Sequence, residues 1–402
     1  MLDFTTIDLN YLGSILLAVL IVGLAFFVVI RLFRSFLGRR HYIKHNVFLV
    51  RIPKDAPRED GGSVSQNIKE EIAKGEAIFA ALGGLKAERG FKAWLKGRQD
   101  HFSFEIVADA KKIAFYFSCN PHDFRYIEQQ IHAQYPAAAI EEVEDYNVFG
   151  AQGQIAAAYL KTVKNFIFPI KTYQEMEVDP MSSLINVLSK LDKGESVAIQ
   201  YLVRSAKGSW HGTLRNKVAK IQEKQSVSER LKSNSLEKFF SFINPPKKKP
   251  DNLAEQKPEK RLSVVEEEML KKIEEKNLKA GLDINLRVLA FSKNKDKANR
   301  YLENIASAYS EYNNFSYGNS FSRLKKKNSE QIIKDFIYRY FREKNSFLLN
   351  SEELASIFHL PLRSIDTPNI LWLTAKTAPA PAETPEEGIT LGYNVYRGFK
   401  KE

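Results

Sequence analysis

From Leu9 to Ile30 the chain reads LNYLGSILLAVLIVGLAFFVVI, without a single charged side chain. In a hydrocarbon layer every backbone polar group has to be paired internally, which restricts such a run to a helix. About 22 residues rising about 1.5 Å each give roughly 33 Å, enough to cross the layer. A helix packed in a soluble core normally keeps a polar face, and this one has none. Asp3 and Asp8 precede it; Arg31, Arg34, Arg39, Arg40 and Lys44 follow it. Basic residues are retained on the cytoplasmic side, so the expectation is a single-pass protein of the plasma membrane with its N-terminus outside and its body in the cytoplasm. A cleaved signal sequence has basic residues in front of a shorter apolar run, so the segment is expected to remain as an anchor. The five basic residues behind it are candidate contacts for anionic lipid, worth about 1 kcal/mol each near the surface.

Beyond the basic segment 31–45, hydrophobic periodicity predicts an α+β body. NVFLVRI is an apolar run of strand type, and Ile68, Ile72, Phe79 and Leu82 then recur at helical spacing up to Gly83 and Gly84. HFSFEIV and IAFYFSC alternate about the turn DAKK, as a hairpin does. Asn120 and Pro121 open a further helix, and AAIEEV supplies a last strand. This βαββαβ order predicts a ferredoxin-like module over 46–150. The same order can be traced over 156–325: NFIFPIK, a helix opened by Asp179 and Pro180, SVAIQYLV, INLRVLAFS, a helix through Ala298, Leu302, Ile305 and Tyr309, and a strand around NNFSYGN. Between its halves, 209–280 reads as a protruding helical arm with a flexible basic linker at 243–261, and Ser263 with Glu266 is the start signal of its second helix. IIKDFIYRYF predicts a strand and SEELASIFHL a short helix capped by Asn350, both within 326–375. A Pro/Ala hinge and a terminal strand occupy 376–402.

Residues that could carry chemistry are sparse. No G-x-x-x-x-G-K-[ST] occurs, so the loop that cradles nucleotide phosphates is missing, and GGLKAERG lacks the Lys-Ser/Thr pair. His41 and His45 stand one helical turn apart without the glutamate of a zinc-protease helix, among arginines that disfavour a cation. His122 beside Asp123 reads as a helix-start pair, Glu266 to Glu268 as a solvated helix start, and Cys119, in an apolar run, as a buried structural thiol. The expectation is a protein without catalytic, metal or cofactor residues.

A formal charge of +12 nevertheless calls for an acidic counterpart. Lys247, Lys248 and Lys249 in PPKKKP and Lys325, Lys326 and Lys327 in RLKKKNSEQ are the candidate nucleic-acid contacts. The strand motif with which ferredoxin-like sheets read RNA is absent, and solvated lysines that keep a linker extended are the plainer reading.

The last third, FLLNSEELASIFHLPLRSIDTPNILWLTAKTAPAPAETPEEGITLGYNVYRG, resembles the segment that leads into the motor domain of membrane-anchored ATPases of the conjugation or type IV secretion kind. FLVRIPK, IEQQIHAQYP, FPIKTYQEMEVDP and INLRVLA stand where that family has similar segments. The resemblance implies a non-catalytic, membrane-tethered scaffold module whose P-loop motor ATPase is supplied in trans or lost by truncation, with DNA or a second copy as further partners. Ile389, Leu391, Tyr393 and Val395 form one face of the terminal strand, which has no sequence partner in this reading, and are the candidate docking residues for that ATPase. The alternative is a membrane-bound nucleic-acid-binding protein acting through its lysine runs.

Overall fold

A computed structural model describes residues 9–41, 45–54, 64–91, 93, 97–150, 152–223, 264–324, 329–365, 367–374, 378, 389, 392–396 and 399–401. Helix α1 (Leu9–His41) contains the apolar run; its stretch Gly13–Ile30 has a mean hydropathy of 3.0 and buries nothing against the rest of the chain. By length and composition α1 fits a membrane span or a signal sequence.

The body is α+β and is built on one antiparallel sheet. Strands β1 (Asn46–Arg51), β2 (Phe102–Asp109), β3 (Ile113–Cys119) and β4 (Ala139–Val143) alternate with helices α2 (Val64–Gly83) and α3 (Phe124–Gln134). Strands β5 (Gln154–Thr162), β6 (Ser196–Ser205), β7 (Gly281–Ser292) and β8 (Phe321–Leu324) alternate with α4 (Ser182–Leu188), the arm helices α5 (Ser209–Glu223) and α6 (Val264–Asn277), and α7 (Lys295–Ala308). Helix α8 (Ser329–Ile337), strand β9 (Phe347–Asn350) and helix α9 (Ser351–Ile357) follow. Strand order is β4-β1-β3-β2-β6-β7-β5-β8, with β9 also beside β7. Each half therefore runs fourth, first, third, second from its outer edge inward, and the halves join through their second strands into a continuous sheet.

Alternation decides the two faces of that sheet. Phe48, Phe104, Phe115, Phe117, Ile199, Tyr201, Leu286 and Val288 point to one side, where α2, α3, α4, α7 and α9 cover them in the main core. Burying each such side chain contributes about 1.5–3 kcal/mol. SVAIQYLV and INLRVLAFS, separated in sequence by the arm, are neighbours in the sheet: Ser196 to Ser205 run antiparallel to Phe291 to Leu282.

Several expectations are corrected. NFIFPIK is a loop, and the strand that opens the second half is β5, whose alanines carry little strand propensity. NNFSYGN is also a loop, held by Asn319, with the strand following it at β8. IIKDFIYRYF forms α8 and the turn after it, because Ile332 and Phe336, one helical turn apart, pack on the sheet. Asn120 makes no side-chain cap bond. Asn350 does cap α9, in a capping box with Glu353. The described parts of the arm, α5 and the stretch from α6 to residue 280, pack against the body rather than protruding from it. Lys272 pairs with Glu175, Lys276 with Glu353, and Lys279 with both Glu76 and Glu352. Trp210, Leu214, Met269 and Ile273 share a small core with Ile167 and Phe168. Ser263 and the linker 243–261 lie outside the described residues. The terminal strand, β10 (Asn394–Tyr396), has a partner after all in β11 (Phe399–Lys401).

Candidate functional site

HFSFEIV, VAIQYLV and INLRVLA share a detail: a polar residue interrupts each apolar run. In the sheet these residues meet. Glu105 is paired with Gln200 and Gln200 with Arg287, while Tyr116 and Tyr159 flank them on β3 and β5. The row lies on the face opposite the main core and crosses the junction of the two halves. Glu105, Gln200 and Arg287 are each 0% exposed. Burying ionised groups costs several kcal/mol apiece unless they are paired and hydrogen-bonded.

The segment Asp335–Glu343 supplies the partners. Arg339 lies over Glu105, with Nε 2.9 Å from Oε1, and its other nitrogens donate to Asp145 at 2.8 Å. Gln200 donates to Glu105 at 2.9 Å and accepts from Arg287 at 2.7 Å. Arg287 also donates to the Asp335 carbonyl at 2.6 Å, to the Tyr159 hydroxyl at 3.0 Å and to the Tyr340 carbonyl. The Asp335 carboxylate takes bonds from Tyr159, Gln331 and Arg342 at 2.6–2.9 Å. Arg339 sits at φ +49, the left-handed region that a side chain occupies at a cost of about 1–2 kcal/mol. That cost is offset only if the charge contacts below it are worth more.

Electrostatics follow from this packing. Burial alone would raise the Glu105 carboxyl, but Arg339 and bonds from Ser103 and Tyr146 outweigh it and hold the group below the ordinary carboxylate range. Burial, and then the Glu105 charge, raise the Tyr146 hydroxyl well above its usual value. Next to the row, His45 and His101 lie with ring centroids 5.1 Å apart, and His101 Nε2 is 2.9 Å from the Arg339 carbonyl. Burial, then Arg339, lowers His45 to about 4; burial, then His45, lowers His101. Both imidazoles are therefore neutral near pH 7. Each charged group in the row is already bonded to another, so the arrangement is suited to clamping rather than to proton transfer.

An apolar cavity lies on the other face, lined by Phe79, Phe104, Phe117, Tyr135, Phe358 and His359. His359 is committed to the Ala355 carbonyl at 2.9 Å and to Asp179 at 3.2 Å. Among the described residues no cluster of His, Cys, Asp and Glu has the arrangement of a metal site.

A family described as "Domain of unknown function (DUF8128)" matches residues 69–373. The chain belongs to this family. No curated protein matches it. The matched span begins inside α2 and runs through the arm, the buried row and its clamp, so α1 and β1 precede it.

Most residues singled out from sequence fall elsewhere. Arg31, Arg34, Arg39 and Arg40 belong to the last turns of α1, and their side chains, with Lys44, lie outside the described residues. So do Lys247, Lys248, Lys249, Lys325, Lys326, Lys327 and Leu391. Ile389 and Tyr393 are 91% and 54% exposed, and Val395 is paired with Lys400 in the terminal hairpin. Cys119 is fully buried, and burial, then Asp123, pushes its thiol up to about 12. Glu105, Gln200, Arg287 and Arg339 are the residues sequence reading passed over. The interrupted strand runs were their signal; the register that brings them together was not visible.

Proposed function

We propose that the chain is a membrane-anchored, non-catalytic scaffold module whose rigid body is held at the cytoplasmic face of a plasma membrane by α1. The observation that carries this reading is the apolar stretch Gly13–Ile30, none of it buried against the body, in a helix that ends at His41, a few residues before β1. Exposing that much apolar surface to water is strongly unfavourable, and a lipid layer removes the cost. Each half of the sheet reads as a ferredoxin-like unit, and the buried row with its clamp supports a stiff double unit suited to positioning something else. The commitment of every charged group in the row supports a non-enzymatic role. By resemblance, the object positioned is a P-loop motor ATPase of the conjugation or type IV secretion kind.

Protease digestion of spheroplasts against lysed cells tests the topology. The body after β1 should be protected in the first and cut in the second, and the full chain should stay with membranes in carbonate. Release by carbonate, or digestion in intact spheroplasts, would refute the anchored reading. The purified full chain should hydrolyse ATP no faster than buffer, and a P-loop ATPase expressed with it should co-purify. Hydrolysis above that background would refute the scaffold reading.

A further inference from the structure

Strand polarity determines which turns share an end of the sheet. Asn46, where the anchor segment enters β1, is paired with Cys119, and Phe102 and Val203 lie at that same end. The opposite end gathers the β2–β3 turn, the turn before β6 and the turn after β7, because Asp109 is paired with Ser196 and Ser196 with Phe291. These turns cap the adjacent strands β3-β2-β6-β7, a width of about 14 Å at roughly 4.8 Å per strand.

They carry Lys111, Lys112, Lys190, Lys193, Lys293 and Lys295, all exposed, and none of these is in an ion pair among the described residues. Nearby carboxylates are fewer and largely occupied. Asp109 accepts from the amides of Lys111 and Lys112 at 2.7 and 3.0 Å, and Asp192 and Glu195 share Lys297. Asp296, in the first turn of α7, is the remaining acid within the three turns. Holding so many ammonium groups on rigid turns costs repulsion, and a polyanion relieves it.

We infer that this lysine rim binds the phosphate backbone of a double-stranded nucleic acid. Its width equals about four base steps at roughly 3.4 Å each along one strand. Lysines bind phosphate as point charges, and the three turns contain no aromatic ring on which a base could stack, so binding is to backbone without reading sequence. The rim is at the end of these strands away from the anchor's entry, which favours a polyanion in solution over the bilayer that holds α1. Its lysines are different residues from those of the runs 247–249 and 325–327, and the proposed contact does not depend on an ATPase partner.

The test uses the full chain in nanodiscs of neutral lipid and a fluorescent DNA duplex of random sequence, titrated across a series of salt concentrations. With about four to six phosphates engaged, log K should fall against log salt with a slope of roughly −4 to −5. Lys111→Glu/Lys112→Glu combined with Lys293→Glu/Lys295→Glu should weaken binding at least about tenfold and flatten the slope, since each lost contact removes about one unit of it. The matching Lys→Arg variant should bind like the parent. All these positions are exposed, and circular dichroism verifies that the variants are folded. Unchanged binding by the charge-reversed protein would overturn the inference. So would loss of binding caused by neutralising only the 247–249 and 325–327 runs. Retention of the duplex in the presence of excess anionic vesicles supports a nucleic-acid site; displacement by vesicles with no measurable duplex preference would make the rim a lipid contact and overturn it.

Discussion

Replacing Arg339 by Met keeps the aliphatic stem and removes the charge that lies over Glu105. Glu105 is 0% exposed and would keep only Gln200, Ser103 and Tyr146 as partners. Asp145, half exposed, would recover water and lose little. Breaking a buried ion pair by deleting one partner costs about 3–5 kcal/mol, since the other charge stays uncompensated. Methionine at φ +49 relieves none of the backbone strain, so no gain offsets that loss. For a body of roughly 300 residues the unfolding entropy is about 0.6 kcal/mol per degree, so Tm should fall by about 5–8 °C. The assay is a thermal melt of the full chain in detergent, followed by tryptophan fluorescence, with hydrogen exchange localising the change. Exchange should accelerate first in α8 and the turn after it. Adding Glu105→Gln to Arg339→Met should restore much of the loss, giving a coupling well above the roughly 0.5 kcal/mol expected of independent sites. A Tm within about 1 °C of the parent, or losses that simply add, would show that the row is solvated and that the clamp is not what holds the segment.

Acid should loosen the same region. His45 is held down to about 4, by burial first and Arg339 second, so below pH 6.5 the unfolded imidazole takes up a proton that the folded one refuses. Stability should fall by up to about 3 kcal/mol between pH 6.5 and 4, and His45→Gln should flatten a melt series across that window. At the base of the arm, a Cβ on Gly281 would come within 2.4 Å of the Trp210 ring, so Gly281→Ala should cost about 1–3 kcal/mol and make α5 and α6 more sensitive to protease than the sheet. Cys119, fully buried with its thiol pushed up to about 12, should resist a maleimide in the folded protein and react once urea unfolds it; rapid labelling of the native chain would contradict its placement.

How much of this was legible depended on whether local pattern and tertiary context agreed. The β2–β3 hairpin alternates cleanly about DAKK, and Asn350 with Glu353 forms the capping box its spacing implies, so both could be read directly. IIKDFIYRYF has a strand's composition, but Asp335 is buried between Arg342, Gln331 and Tyr159, an arrangement that only a helix lying across the sheet provides. Strand β5 was hidden for the opposite reason: its alanines are weak strand formers, and the sheet accepts them because α7 packs closely above Ala156 and Ala158. The polar row was legible as three interruptions and illegible as a site. Period-2 alternation says that Glu105, Gln200 and Arg287 avoid the apolar face, but their pairing depends on the register of strands far apart in sequence.

That register explains why a charged row is useful at the centre of a sheet. Glu105 faces Gln200 at the point about which the two halves are arranged, where β2 meets β6. An apolar pair there would hold the strands together but would tolerate sliding, because Phe104, Ile106, Ile199 and Tyr201 are large apolar residues on the core side of both strands. A slip of one residue in β2 would turn Glu105 into that core and Phe104 out of it. A slip of two would keep the faces but separate Glu105 from Gln200 and from the Arg339 clamp, leaving a buried carboxylate to bear its desolvation without compensation. The ionic row therefore contributes less to net stability than to choosing one junction between the halves. Since the junction determines where the β2–β3 turn stands relative to the turns flanking β6 and β7, the same buried residues also set the spacing of the lysines on the rim.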